Sequence, residues 1–243
     1  MLPGEVFATF DAQDSGNVSY GVRLGERRFF VKTAGRTDDP EHAVRVARLR
    51  NAVVLAASCT HPALPLLDHV IESAAGPLLV YEWFDGEVLG VPSARRDDPS
   101  SSFQRFRALP VHTIAAALTM VYELHAELAG AGWVAGDFYD GSLMYNFASR
   151  EVRVIDLDMY AGGPFTNTVG RMFGSTRFMA PEELELGARI DERTTVFNLG
   201  RAAFVFIGDR GTPAQLAAAT RACCPDPAAR FASVEDFVAA WSR

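Results

Sequence analysis

The 243-residue chain has little cysteine: three residues, none of them in a disulfide-framework or metal-ligand spacing. Cys59 stands alone and Cys223 and Cys224 are adjacent, a pattern that reads as buried free thiols in a reducing compartment. Apolar runs of about 18 residues are also missing, so no spanning helix is expected. The opening MLPGEVFATFDAQ lacks a basic-then-apolar leader. These readings place the protein in the cytoplasm, away from membranes. Basic excess is the third absence. With 23 Lys and Arg against 30 Asp and Glu, the net charge is −7. That argues against a nucleic-acid binder, because phosphate backbones are held by basic patches. A nucleotide is not excluded, since a few local cations and a metal suffice for it. The length fits one large domain or two small lobes.

What is present divides into a β-rich start and a helix-rich remainder. VFATFDAQ, NVSYGVRL and RRFFVKTA are short aromatic and β-branched runs, the last two joined by a turn at Leu24-Gly25-Glu26. From Glu41 to Ala57 the pattern is helical, with Val46, Leu49, Val53 and Val54 on one side. VIESAAGPLLVYEW reads as two strands joined around Ala74-Ala75-Gly76. The polar stretch from Pro92 to Ser102 is expected to be a linker or exposed loop. Thr113 to Leu128 is the clearest helix, striped by Ile114, Ala117, Leu118, Val121 and Leu128. The last helix starts at an expected N-cap, Ser233, and carries Val234, Phe237, Val238 and Trp241.

Three residues fit the needs of phosphoryl transfer: a positioned polyphosphate, neutralised charge and an oriented hydroxyl. Lys32 ends a strand, Asp156 ends another, and Asp137 lies in AGDFYDGSLMY between a helix and VRVIDLD. Taken in order, the segments resemble the protein kinase superfamily. FFVK at 29–32 is similar to its β3 lysine motif, LVYEW at 79–83 to the hinge, AGD at 135–137 to the HRD loop and DLD at 156–158 to the DFG site. GSTRFMAPE at 174–182 resembles the end of the Ser/Thr kinase activation segment. TTVFNLG at 194–200 resembles the start of helix F, and DPAARF at 226–231 the late segment whose arginine pairs with the APE glutamate.

The resemblance implies an α+β, bilobal kinase-like fold in one domain over 1–243. Its small antiparallel β-rich N-lobe would cover about 1–84, a hinge and linker 82–110, and a mainly helical C-lobe 111–243. It implies ATP and Mg²⁺, with Lys32 on the α/β-phosphates, Asp137 on the substrate hydroxyl and Asp156 on the metal, with Ser142 as second metal ligand. Gly16, Val18, Tyr81 as a bulky gatekeeper, the hinge backbone at Glu82 and Phe84, and Met144 would contact nucleotide. Glu182 would pair with Arg230. The acceptor would be Ser/Thr of a protein substrate, or alternatively a small-molecule hydroxyl. A further alternative is a pseudokinase, a binding module without turnover.

Several family features are altered. Only Gly16 fits the Gly-rich loop, and Asp14 adds negative charge beside it. The helix glutamate that would orient Lys32 is replaced by Asn51 or Ala52, and Glu41 lies roughly 15 Å too far along the helix. Ala135 and Gly136 replace the His and Arg before Asp137, Tyr139 replaces a lysine, Ser142 an asparagine, and Thr195 the aspartate that caps the catalytic loop. Without an arginine at 136, control by activation-segment phosphorylation is not expected, although Arg171 and Arg177 could receive a phosphate.

Overall fold

The computed structural model describes residues 4–11 and 15–243; Asp14 lies outside them. The chain forms two compact units, Met1–Thr60 with Pro65–Asp85, and His61–Leu64 with Gly86–Arg243.

The first unit is a five-stranded sheet and one helix. Strands β1 (Glu5–Phe10), β2 (Val18–Leu24), β3 (Arg27–Thr33), β4 (Leu67–Ser73) and β5 (Gly76–Glu82) take the order β1-β2-β3-β5-β4, every pair antiparallel. Helix α1 (His42–Ser58) packs Leu49 and Ala52 onto Ala34 and Leu79, with Tyr81 against the same cluster. The opposite sheet face holds Val22, Phe29 and Val31. An irregularity in β1 sets both Phe7 and Ala8 opposite Gly21. This bulge brings the Phe7 ring over Gly21 and edge-on to Trp83, with ring centres 4.9 Å apart.

The second unit is mainly helical. Strand β6 (Glu87–Val88) leads through α2 (Ser102–Arg107) to α3 (Val111–Gly130) and β7 (Trp133–Val134). Strands β8 (Leu143–Tyr145), β9 (Val152–Val154), β10 (Ala161–Gly162), β11 (Phe165–Thr166) and β12 (Arg189–Ile190) follow, then α4 (Glu192–Phe206), α5 (Pro213–Ala222) and α6 (Val234–Trp241). The stripe expected on α3 is buried throughout. Tyr122 on that helix meets Phe237 and Trp241 of α6 edge-on at 5.0 and 5.1 Å. Ser233 caps α6 as expected, its hydroxyl accepting from Asp236 N–H at 3.0 Å. The stretch expected as a linker or exposed loop is largely exposed from Pro92 to Ser100 and runs at its end into α2. Ser101 caps α2, and Phe103 and Phe106 bury their rings against Phe206. No helix among the described residues is long and apolar enough to cross a membrane.

Candidate functional site

The sequence-derived residues divide between the units. Gly16, Val18, Lys32, Tyr81, Glu82 and Phe84 belong to the first; Asp137, Ser142, Met144 and Asp156 belong to the second.

In the second unit, β7 pairs with β10 and β8 with β9, and these two ladders fix the ends of the loops carrying Asp137 and Asp156. Ile155 N–H donates to Ser142 C=O at 2.8 Å, tying one loop to the other. Asp137 (φ 60°) and Asp156 (φ 62°) both adopt the left-handed region; Arg150 is the other non-glycine described residue that does. That conformation is sterically unfavourable for a side-chain-bearing residue, least so for Asp and Asn, and it concentrates at functional sites. Gly136 is where the Asp137 loop touches the Asp156 turn, since a Cβ there would overlap the Met159 carbonyl oxygen. Gly136 therefore has a packing reason: no side chain, arginine included, fits at that contact. Gly174, the first residue of GSTRFMAPE, lies against the Asp137 carboxylate, and a Cβ at Gly174 would sit 2.5 Å from Oδ1. The two aspartates thus share a neighbourhood with the segment that resembles the activation-segment end.

Behind them stands a buried pair absent from the sequence reading. His125 Nδ1–H donates to Val121 C=O at 2.7 Å, which leaves Nε2 to accept from the Tyr160 hydroxyl at 2.8 Å. Burial pushes His125 down to about 4, so the ring is neutral. Burial, then the nearby Asp137 and Asp156 carboxylates, push the Tyr160 phenol well above its usual range, so it remains a hydrogen-bond donor. The signal was available: His125 is the single histidine among the buried residues of α3.

Ser142 has a different task from the one expected. Its hydroxyl donates to Asp137 C=O at 3.0 Å and accepts from Tyr139 N–H at 3.4 Å, and the residue is buried. It braces the Asp137 loop. Thr195, counted as a loss, does the capping job itself: its Oγ1 accepts from Ala135 N–H at 3.1 Å. Arg177 is also committed, forming an ion pair with buried Asp140, and so is not held ready for a phosphate. Arg171 donates to its own segment, to Gly174 C=O at 3.2 Å. Met144 is half-buried on β8 between Val88 and Arg153 of the neighbouring strands.

The Glu182–Arg230 pair forms in full. Two hydrogen bonds of 2.6 and 2.9 Å join the side chains. Arg230 also donates to the carbonyls of Cys224, Arg193 and Pro225, while Glu182 accepts from Thr194 Oγ1 at 2.8 Å.

In the first unit Lys32 is buried near the end of β3, opposite Ser19 of β2 and Leu79 of β5. Of the 23 Lys and Arg residues it is the single lysine, a count that marks it without any motif. Cross-strand partners share a face and neighbours alternate. Val18, expected as a nucleotide contact, therefore lies on the face opposite Lys32, and Ser19 stands across from the lysine. Tyr81, two residues beyond Leu79, is on the Lys32 face, as is Phe30, whose ring lies 5.8 Å from Phe10. Gly16 (φ +71°) is turned onto α1, and a Cβ there would come within 2.7 Å of Arg45 Nη1. The Glu82 N–H donates to Leu66 C=O at 3.0 Å and its carboxylate pairs with Arg27. Phe84 follows outside the strand.

Among the described residues no three His, Cys, Asp or Glu side chains converge as a metal-holding group. Asp156 is exposed on its turn, with buried Asp158 two residues on. One carboxylate with phosphate oxygens suits Mg²⁺, which keeps waters and needs no all-protein cage. Compared with known proteins, the sequence matches no family model and no curated protein.

Proposed function

We propose that the protein is an ATP- and Mg²⁺-dependent phosphotransferase of the protein-kinase type, acting on a Ser/Thr hydroxyl of a protein. The observation that carries this reading is the pairing of Asp137 and Asp156, both in left-handed backbone, in loops touching at Gly136 and flanked by Gly174. In this reading Asp137 orients the acceptor hydroxyl and takes its proton as the oxygen bonds to the γ-phosphorus, while the bond from that phosphorus to the β–γ bridging oxygen breaks and ADP leaves. Lys32 contacts the phosphates, and neutral Tyr160 with His125 holds the loops in register without adding charge. Asp156 would hold Mg²⁺, whose charge offsets that of the phosphates. Ser142 is left out of the ligand set because its hydroxyl braces the Asp137 loop.

The test is calorimetry of nucleotide binding with and without Mg²⁺, beside a phosphate-transfer assay. Asp156→Asn is expected to lose the Mg²⁺-dependent part of the affinity while keeping its fold. Asp137→Asn should bind as the native chain does yet not turn over. Unchanged Mg²⁺ dependence in the first, or unchanged transfer in the second, overturns the assignment. A labelled-phosphate screen against proteins and metabolites separates a protein acceptor from a small-molecule hydroxyl.

One observation favours the second reading, a binding module without turnover. Phe30 and Phe10 place aromatic rings on the Lys32 face of the sheet, where a nucleotide contacting Lys32 needs room. Nucleotide binding with no transfer to any acceptor would select that reading.

A further inference from the structure

The first unit contains buried polar groups beside Lys32 that the sequence motifs do not assign. Helix α1 carries no acidic residue along its whole length, and the side chain it buries toward the β2 start is Arg45, 3% exposed. Arg45 Nε donates to Ala34 C=O at 2.8 Å. Its Nη1 lies under Gly16, and its Nη2 sits 3.2 Å from Asp39 Oδ2 without a hydrogen bond of good geometry. Two more buried groups lie alongside. Ser19 faces Lys32 across the β2–β3 ladder, and Asn17 lies two residues before it, just ahead of the Val18–Thr33 pair that ends the ladder. Ser19 Oγ (residue 0% exposed) and Asn17 Oδ1 (residue 4% exposed) have no hydrogen-bond partner.

A buried polar atom without a partner carries a penalty of about 1–3 kcal/mol, so two on one short stretch, at Asn17 and Ser19, ask for a ligand. Turning the Asn17 amide by 180° presents its NH₂ where Oδ1 now points. The set is then a hydroxyl donor, an amide donor, a guanidinium and the Lys32 ammonium on one sheet face. All are donors, and three of the four can grip tetrahedral oxyanions through charge or paired N–H groups.

We propose that Arg45, Asn17, Ser19 and Lys32 form a polyphosphate-binding site in which Arg45 is a direct ligand. Asp39 occupies the Arg45 guanidinium when no ligand is present. The site deepens the nucleotide reading above but survives its failure, since a module that binds without transferring uses the same groups. Asp39 can be altered without breaking the helix start. Its Oδ1 accepts from Glu41 N–H at 2.8 Å, and asparagine makes the same capping contact.

The experiment is metal-free calorimetry of the full chain with inorganic tripolyphosphate. Asp39→Asn removes the competing charge and is expected to tighten binding several-fold. Ser19→Ala is expected to weaken it several-fold without lowering stability, since the hydroxyl has no partner to lose. Arg45→Gln should weaken it by about tenfold or more. If that variant does not fold, the other two decide the matter. Because Lys32 is the single lysine, an amine-directed label gives a second readout: tripolyphosphate should protect the Lys32 peptide and leave the α-amino group reactive. No binding by the native chain, or equal affinity in Asp39→Asn and Ser19→Ala, overturns the proposal. Absence of phosphate transfer alone removes the enzyme reading and leaves this one standing.

Discussion

Gly136 shows how much one position can decide. A loop aspartate is aimed by its backbone, and the Asp137 backbone is held by contact with the Met159 carbonyl through the bare Cα of Gly136. A methyl group there meets a backbone oxygen that cannot rotate away, unlike the tip of a flexible side chain. Gly136→Ala is expected to lower stability by about 1–3 kcal/mol and to disturb the Asp137 loop with it. Urea denaturation and the transfer assay read these together. A variant as stable and as active as the native chain would show that the contact relaxes freely and does not position Asp137. At this scale Lys32, Asp137 and Asp156 were picked out by the order and spacing of the segments that carry them, not by any one residue taken singly. That Val18 and Lys32 lie on opposite faces was not legible, because a one-residue step along a strand exchanges the two faces and nothing local in NVSYG distinguishes them. Ser142 and Thr195 were legible as replacements but not as working parts, because their hydrogen bonds run to backbone atoms that only the fold brings close.

Elements are held by a few buried polar pairs, and the Glu182–Arg230 pair is the most completely satisfied. Each partner reaches beyond the other: Arg230 to three carbonyls, Glu182 to the Thr194 hydroxyl. Removing one side strands a buried charge, so Glu182→Gln should lower stability by about 3–5 kcal/mol. The charge swap Glu182→Arg with Arg230→Glu should not restore it, because the three carbonyls would then face a carboxylate. Native-like unfolding midpoints in the swapped chain would show that mutual attraction alone accounts for the pair. This pairing was legible from the order of motifs, and α3 and α6 from their apolar spacing. Helix α2 was not: its six residues are too short for a period, and what stabilises it is burial of Phe103 and Phe106 against a helix about a hundred residues away. The segment from Asp156 to Glu182 likewise needs no phosphate to order it, since Arg177 and Asp140 already bridge it to the Asp137 loop. Phosphatase treatment and the Thr166→Ala/Thr168→Ala variant are therefore expected to keep the native transfer rate. A large loss in either, with folding intact, would reveal a phosphate-dependent switch.

For the whole molecule, pH sets two buried groups of the second unit against each other. Burial pushes the Glu183 carboxyl from 4.5 up to about 7, opposed by the Ala180 N–H and Asn198 amide it accepts from, and Glu182 adds to the rise. Its folded form binds the proton more tightly than the unfolded chain. Its contribution to stability is thus complete below pH 4.5 and is lost as pH rises through about 7. His125 runs the other way. Burial lowers it from 6.5 to about 4, so its contribution is complete above pH 6.5 and is lost as pH falls through about 4. Each shift corresponds to about 3 kcal/mol. Between pH 4.5 and 6.5 the two slopes have opposite sign and similar size, and together they leave stability nearly level. Replacing one group should expose the other. Glu183→Gln keeps the hydrogen-bonding amide shape and should leave stability that climbs with pH from about 4 to 6.5. His125→Gln should leave stability that falls from about 4.5 to 7. Urea midpoints taken at half-unit steps across this range give the two slopes directly. If both variants keep the native profile, the two buried groups do not titrate as their surroundings dictate. If both slopes share one sign, another group governs the pH response of the second unit.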